Sequence, residues 1–187
     1  MTARSRLALS APPLILLSAS LAFGQTGESL PERRQSEWMV SGGYGFSVHL
    51  NQGRSDEQLL LLEPQVAFRV GSRTEYLVEG HLARYFTPKG FAAGILPVGA
   101  RLFLGHGTVT PYVSGGVGFG WTDLTNLEEI GRRFNLFLQG GVGVRGGLSG
   151  DRAWTLEARL MHLSNAGTAI PNLGLTSVVL LAGWRIR

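Results

Sequence analysis

His162 and Ser164 are the two residues whose types and spacing point most directly to chemistry. Residues i and i+2 of a β-strand share a face. An imidazole in that place can reach the hydroxyl, as a general base must reach its nucleophile. The alternative is an ordinary pair of polar residues at a strand end. The other histidines, His49, His81 and His106, show no metal-ligand spacing. Cysteine is absent, which excludes a cysteine nucleophile, a thiolate metal site and a disulfide scaffold. Two glycine clusters, Gly115-Gly116-Val117-Gly118 and Gly140-Gly141-Val142-Gly143, look superficially like phosphate loops. A phosphate loop needs a helix after its strand, and no helical period follows either cluster.

The elements that must carry the His162–Ser164 pair are strands. Eight stretches alternate with period two, at about 38–50, 57–70, 73–86, 95–104, 109–121, 134–146, 153–163 and 174–187. In the second, Leu60, Leu62, Val66, Phe68 and Val70 oppose Glu63, Gln65 and Arg69. In the third, Tyr76, Val78, Leu82 and Phe86 oppose Glu75, Glu79 and His81. In the seventh, Trp154, Leu156, Ala158 and Leu160 oppose Thr155, Glu157 and Arg159. A soluble barrel and a membrane barrel share this pattern, one being the other turned inside out. The connections distinguish them. Connections at 51–56, 87–93, 122–133 and 164–173 alternate with connections at 71–72, 105–108 and 147–152 that are shorter on the whole, the habit of outer-membrane barrels. The strands also exceed the usual length of about five or six residues and suit a tilted bilayer crossing. The expected fold is all-β, an eight-stranded antiparallel transmembrane β-barrel, with a soluble lipocalin-like barrel as its rival. In its polar interior, Arg101, Arg145 and Arg159 are expected to pair with Glu63, Glu75, Glu79 and Glu157. The glycine clusters are expected to let a narrow barrel close.

Composition and the N-terminus agree with export. Of 187 residues, 44% are hydrophobic and 27 are glycine, with no collagen period. Arg4 and Arg6 precede an apolar stretch from Leu7 to Phe23, and Ala22-Phe23-Gly24 fits a small-x-small cleavage site. Residues 1–24 are therefore expected to be a signal peptide, and 25–187 the barrel domain. Without Arg4 and Arg6 the 17 basic residues become 15, against 13 acidic, a net charge of +2. The basic residues are scattered, so nucleic acid is not an expected partner.

The depth of the pair follows from strand geometry. Trp154 lies eight residues before His162, about 26 Å at roughly 3.3 Å per residue. Tilt reduces this to about 20 Å along the normal, within an apolar band about 25 Å tall. If Trp154 marks the periplasmic girdle, His162 lies near the outer-leaflet interface. It would share the lipid face with Ser164, where polar groups are costly and suggest function by default. A register that pairs His162 with Thr176 also pairs Trp154 with Trp184, and sets Thr176 beside His162 on the lipid side.

The segment His162-Leu163-Ser164-Asn165-Ala166-Gly167, followed by Pro171-Asn172 and Gly174, resembles the signature of the lipid A 3-O-deacylase family of outer-membrane acyl hydrolases. That resemblance implies an eight-stranded barrel with its active site on the outer, lipid-facing wall. It implies Ser164 as nucleophile, His162 as general base and Asn165 as an oxyanion donor, with backbone N–H groups near Ala166 and Gly167 as co-donors. The family's third member is a Glu two residues after the trailing glycine, and here that position is Thr176. A Thr hydroxyl can fix the imidazole tautomer, but it cannot stabilise an imidazolium as a carboxylate would. Glu157 points inward and cannot substitute, whereas Asn172 is a loop candidate for the role.

The activity implied is hydrolysis of the 3-position acyl ester of lipid A, releasing a 3-hydroxy fatty acid, with no metal or cofactor. The implied partner is lipid A, or lipopolysaccharide, in the outer leaflet of the cell outer membrane. A homodimer stays open. Loop arginines Arg54, Arg132 and Arg133 are candidates to meet lipid A phosphates or to be solvated loop charge. The rival function is a catalytically silent barrel with a structural, adhesion or surface-resistance role.

Overall fold

The structure is a computed structural model that describes residues 36–49, 56–127, 129–147 and 153–186. The proposed signal peptide and Arg54 lie outside the described residues. Eight strands follow one another: β1 Ser36–Ser47, β2 Gln58–Arg69, β3 Thr74–Thr87, β4 Lys89–Phe103, β5 Val109–Thr122, β6 Phe134–Gly147, β7 Ala153–Ser164 and β8 Leu175–Arg185. Each pairs antiparallel with the next, and β1 pairs with β8, so the sheet closes into a barrel without edges.

The outward face of every strand is predominantly apolar. Leu60, Leu62, Leu82, Val117, Leu138, Val142, Leu156 and Leu180 stand exposed, while Glu63, Glu75, Glu79, His81, Arg101, Gln139, Glu157 and Arg159 are buried inside. This is the inside-out pattern of a barrel whose solvent is lipid. Aromatic side chains gather at both ends of the wall. Trp38, Phe68, Tyr76, Trp154 and Trp184 mark the lower belt, and Tyr44, Phe46, Phe86, Phe91, Phe119, Trp121 and Phe134 the upper. Three of the four upper connections are longer loops, and the fourth, between β3 and β4, is Pro88 alone.

Buried charge is answered by opposite charge, as burial demands. Arg159 reaches Glu63 (2.6 Å), Glu157 (2.7 Å) and Glu79 (3.4 Å). Arg101 and Arg145 both bind Glu75 (3.0 and 2.9 Å), and Arg145 also binds Glu37. His81 sits 3.3 Å from Glu63 and packs on Phe137. The expected interior pairs are therefore formed.

Two features differ from the sequence reading. The span 87–93 is not a loop: β4 begins at Lys89 and pairs with β3 from Phe86↔Lys89 to His81↔Gly94. Gly90 and Ala92 hide this strand because their inward positions must be small. A Cβ at Gly90 would stand 2.6 Å from Asp123 Oδ1, under the β5–β6 loop. The interior is also not polar throughout. Toward the upper end it becomes apolar, with Leu59, Leu61, Tyr85, Phe137, Met161, Leu163, Leu175 and Val179 packed beneath Leu124 and Ile130 of the β5–β6 loop. That loop folds into the barrel mouth. In the glycine clusters the inward positions serve closure, as expected: a Cβ at Gly118 would stand 2.6 Å from Leu96 Cα on β4, and one at Gly143 2.6 Å from Leu156 O on β7.

Candidate active site

The register of β7 against β8 pairs Trp154 with Trp184 and His162 with Thr176. Inward-pointing Met161, Leu163 and Leu175 anchor this end of the two strands in the apolar upper core. Because strand neighbours alternate, His162, Ser164 and Thr176 are thereby committed to the outer wall. They occupy the height at which β1, β3, β4, β5 and β6 carry upper-belt aromatics. The belt is thus interrupted by polar groups on β7 and β8.

His162 Nδ1 lies 2.9 Å from Thr176 Oγ1. Both side chains are largely screened from solvent, and Thr176 is buried. With the proton on Nδ1, the imidazole donates to the hydroxyl and leaves Nε2 as the basic nitrogen. The Nε2 edge lies against Gly174, where a Cβ would stand 2.8 Å from Nε2. The pairing ends at Leu163↔Leu175, and Gly174, the residue before β8, lies against Leu163 O, next to Ser164. Nε2 therefore faces the end of the strand that bears Ser164. Among the described residues, no hydrogen bond joins His162 to Ser164. On the other side, β6 flanks the site with Leu136 opposite Ser164 and Leu138 opposite His162.

Asn165 leaves the wall and is buried at the base of the β7–β8 loop. Its backbone N–H donates to Asn172 Oδ1 (2.9 Å) and its side-chain amide donates to Pro171 O (3.1 Å). One amide hydrogen of Asn165 remains for another acceptor. Asn172 is thus committed to the loop and is not the partner of His162, contrary to that expectation; Thr176 holds the place. Asn165 O accepts both the N–H (3.1 Å) and the hydroxyl (2.6 Å) of Thr168. Between them Ala166 and Gly167 have φ of 54° and 75°, the backbone of a type I′ turn. A left-handed alanine is uncommon and stores strain. Here it accompanies an exposed turn immediately after Ser164.

Sequence reading missed what holds this loop from behind. The β5–β6 loop braces it at three points. Gly174 N–H donates to Glu129 O (3.1 Å). Arg132 Nη1 donates to Thr168 Oγ1 (3.0 Å). Gly131 packs so closely that a Cβ would stand 3.0 Å from Ile170 C. Only the glycine before the arginine pair signals such an approach in the sequence. Beneath the wall, Ser177 Oγ donates to Glu57 Oε1 (3.1 Å). Burial pushes the Glu57 carboxyl above its ordinary range, and nearby Glu129 acts in the same direction, against the pull of Ser177 and His49.

Glu157 points inward and binds Arg159, Tyr112 and Ser114. Among the described residues, no group of three or more His, Asp or Glu is arranged to hold a metal ion. Arg132 and Arg133 are both exposed beside the loop.

A family model described as lipid A 3-O-deacylase matches residues 33–185. Among solved structures, the chain is similar to the outer membrane enzyme PagL, with a TM-score of 0.65 and 16% identity over 78% of this chain and 97% of that one. It is also similar to Neisserial surface protein A, with a TM-score of 0.62 and 13% identity over 80% and 95% of the two chains. No curated protein sequence matches.

Proposed function

The chain belongs to the lipid A 3-O-deacylase family, and on that premise we propose that it is a serine esterase that removes the 3-position acyl chain of lipid A in the outer leaflet. His162 Nε2 takes the Ser164 hydroxyl proton as Oγ attacks the ester carbonyl. The tetrahedral oxyanion is met by the free amide hydrogen of Asn165 and the N–H groups of Ala166 and Gly167. Collapse breaks the bond to the sugar oxygen, which leaves as an alcohol with the proton from His162. Water, deprotonated by the same imidazole, then releases the 3-hydroxy fatty acid from Ser164. The substrate arrives laterally from the bilayer, with its acyl chain along Leu136, Leu138 and Leu160. Residues 1–24 direct export.

The observation that carries this reading is the 2.9 Å contact between His162 Nδ1 and Thr176 Oγ1 on the lipid-facing wall. When Nδ1–H donates to that hydroxyl, the basic nitrogen is Nε2, on the Ser164 side of the ring. The test is lipid A mass spectrometry on outer membranes containing the protein, beside Ser164→Ala and His162→Ala. Loss of one 3-hydroxyacyl mass with the unaltered chain alone is the expected result. Unchanged lipid A, with the barrel folded in the membrane, would overturn it.

One observation favours a second reading, a catalytically silent barrel: the third position is a hydroxyl and not a carboxylate. Thr176→Glu separates the two. A hydrogen bond to a charged group contributes about 1.5–3 kcal/mol against about 0.5–1.5 for a neutral one, a gain of about 1–1.5 kcal/mol, so the deacylase reading expects turnover to rise about 10-fold. A wall that has lost other parts of the site stays silent.

A further inference from the structure

Charge is excluded from the outer wall with one exception. Among the described strand residues on the outward register, the charged ones are Arg84 on β3 and Lys89 on β4. Arg69, Arg101, Arg145, Arg159 and Arg185 all lie on the inward register, where Arg101, Arg145 and Arg159 meet buried carboxylates. Arg84 and Lys89 are exposed. Neither side chain forms an ion pair or a hydrogen bond among the described residues. The nearby carboxylate, Asp123, is engaged by the N–H of Phe91 at 2.7 Å.

Their surroundings are apolar. Arg84 pairs with Leu60 on one side and Phe91 on the other. Phe86 pairs with Lys89, and Leu82 stands one outward position below Arg84. Leu60, Leu82, Phe86 and Phe91 are all exposed to the same surroundings. A guanidinium at the boundary of such a wall costs little by itself, and the groups within its reach there are the anionic headgroups of lipid. Arg84 lies eight residues beyond Tyr76 of the lower belt, the same rise that separates His162 from Trp154. That places it about 20 Å up the wall, at the outer-leaflet boundary. Lys89 lies one outward position higher. The two are diagonal neighbours across β3 and β4, about 7–8 Å apart at Cα, so both side chains can close on one phosphate. Only Pro88 separates the strands, so no loop stands over the pair.

We propose that Arg84 and Lys89 form a binding site for the phosphate of an outer-leaflet glycolipid, on the wall opposite the candidate active site. β3 and β7 are four strands apart in a ring of eight, so a lipid held here does not approach Ser164. The guanidinium supplies paired N–H donors and the ammonium a second charge, while Leu60, Leu82 and Phe91 lie along the acyl chains. The site anchors the barrel to the lipid around it. It requires only that the outer wall faces lipid, and is independent of the ester-hydrolase reading.

The test uses the full chain carrying Ser164→Ala, so that the probe stays intact, in detergent micelles with bis-phosphorylated lipid A. Native mass spectrometry reads the lipids retained per barrel. Folding is checked by heat-modifiable gel migration. Removing each charge is expected to weaken this site about fivefold. The Arg84→Gln/Lys89→Gln chain should retain one lipid fewer than its parent, whereas Arg84→Lys should keep it. Dephosphorylated lipid A should be retained equally by parent and double variant. Equal retention of bis-phosphorylated lipid A by folded parent and double variant would overturn the site. Its displacement by millimolar inorganic phosphate alone would overturn the assignment to a lipid headgroup.

Discussion

Gly174 lies where the two halves of the candidate site meet. Its φ of 74° belongs to the left-handed region, which favours glycine, and its missing side chain leaves room for the His162 ring. Its N–H is also held by Glu129 O. Gly174→Ala would strain the backbone and drive a methyl into the Cε1–Nε2 edge, turning Nε2 away from the Ser164 end. The hydrogen bond from Nδ1 to Thr176 and the acyl wall of Leu136 and Leu138 would remain. A displaced base lowers kcat and leaves substrate binding largely intact. For the esterase, the expected outcome is a fall in kcat of about 100-fold with KM changed little. The measurement is steady-state hydrolysis of lipid A in mixed micelles, with folding checked by heat-modifiable migration. A parallel collapse of binding would show that the residue serves the loop and not the imidazole.

At the scale of elements, the β5–β6 loop is the part most able to act on the site from a distance. Ile130 and Leu124 are buried in the barrel mouth, and the residues just after Ile130 brace the β7–β8 loop through Gly131 and Arg132. Ile130→Ala removes apolar contact worth about 2–5 kcal/mol. The barrel wall does not depend on that contact, since its strands close through backbone pairing. The variant is therefore expected to raise hydrogen exchange at Thr168 and Gly174, whose N–H groups bond within or between these loops, while exchange in β7 stays low. Equal exchange in both proteins would mean that the β7–β8 loop stands alone. The strands were legible because alternation is a backbone property read from side chains. Even the pairing of His162 with Thr176 followed from two tryptophans that had to share a belt. The start of β4 was not legible, because Gly90, packed under the β5–β6 loop, and Gly94, packed against Phe119 and Phe137, must be small, and with Ala92 they carry no alternating signal. The brace was not legible either. It joins residues far apart in sequence through a carbonyl, a glycine and an arginine, none of which marks a partner by type. The side chains at the candidate site were readable from motif and parity, while the commitment of Asn172 to Asn165 depended on a turn geometry that no pattern encodes.

The molecule as a whole is a protein turned inside out, and neighbouring residues of one strand test that directly. Ala158 and Arg159 point to opposite sides of β7, the first to the exposed wall and the second to the interior. Arg159 faces Glu63, Glu79 and Glu157 at once. Arg159→Met would leave three buried carboxylates without their cation, and breaking a buried pair of this kind costs about 3–5 kcal/mol. Ala158→Arg moves a similar charge onto the lipid face, midway between Trp154 and His162. The cost there is about 2–4 kcal/mol, falling to roughly 0–1 near the interface, which is why Arg84 is tolerated at its height. Both variants are expected to lower the urea midpoint for unfolding in phospholipid bilayers. In a barrel surrounded by water, Ala158→Arg would be an exposed substitution with almost no effect. An unchanged midpoint for Ala158→Arg would therefore contradict a lipid-facing wall, and with it both the lateral route to Ser164 and the anchoring role of Arg84 and Lys89.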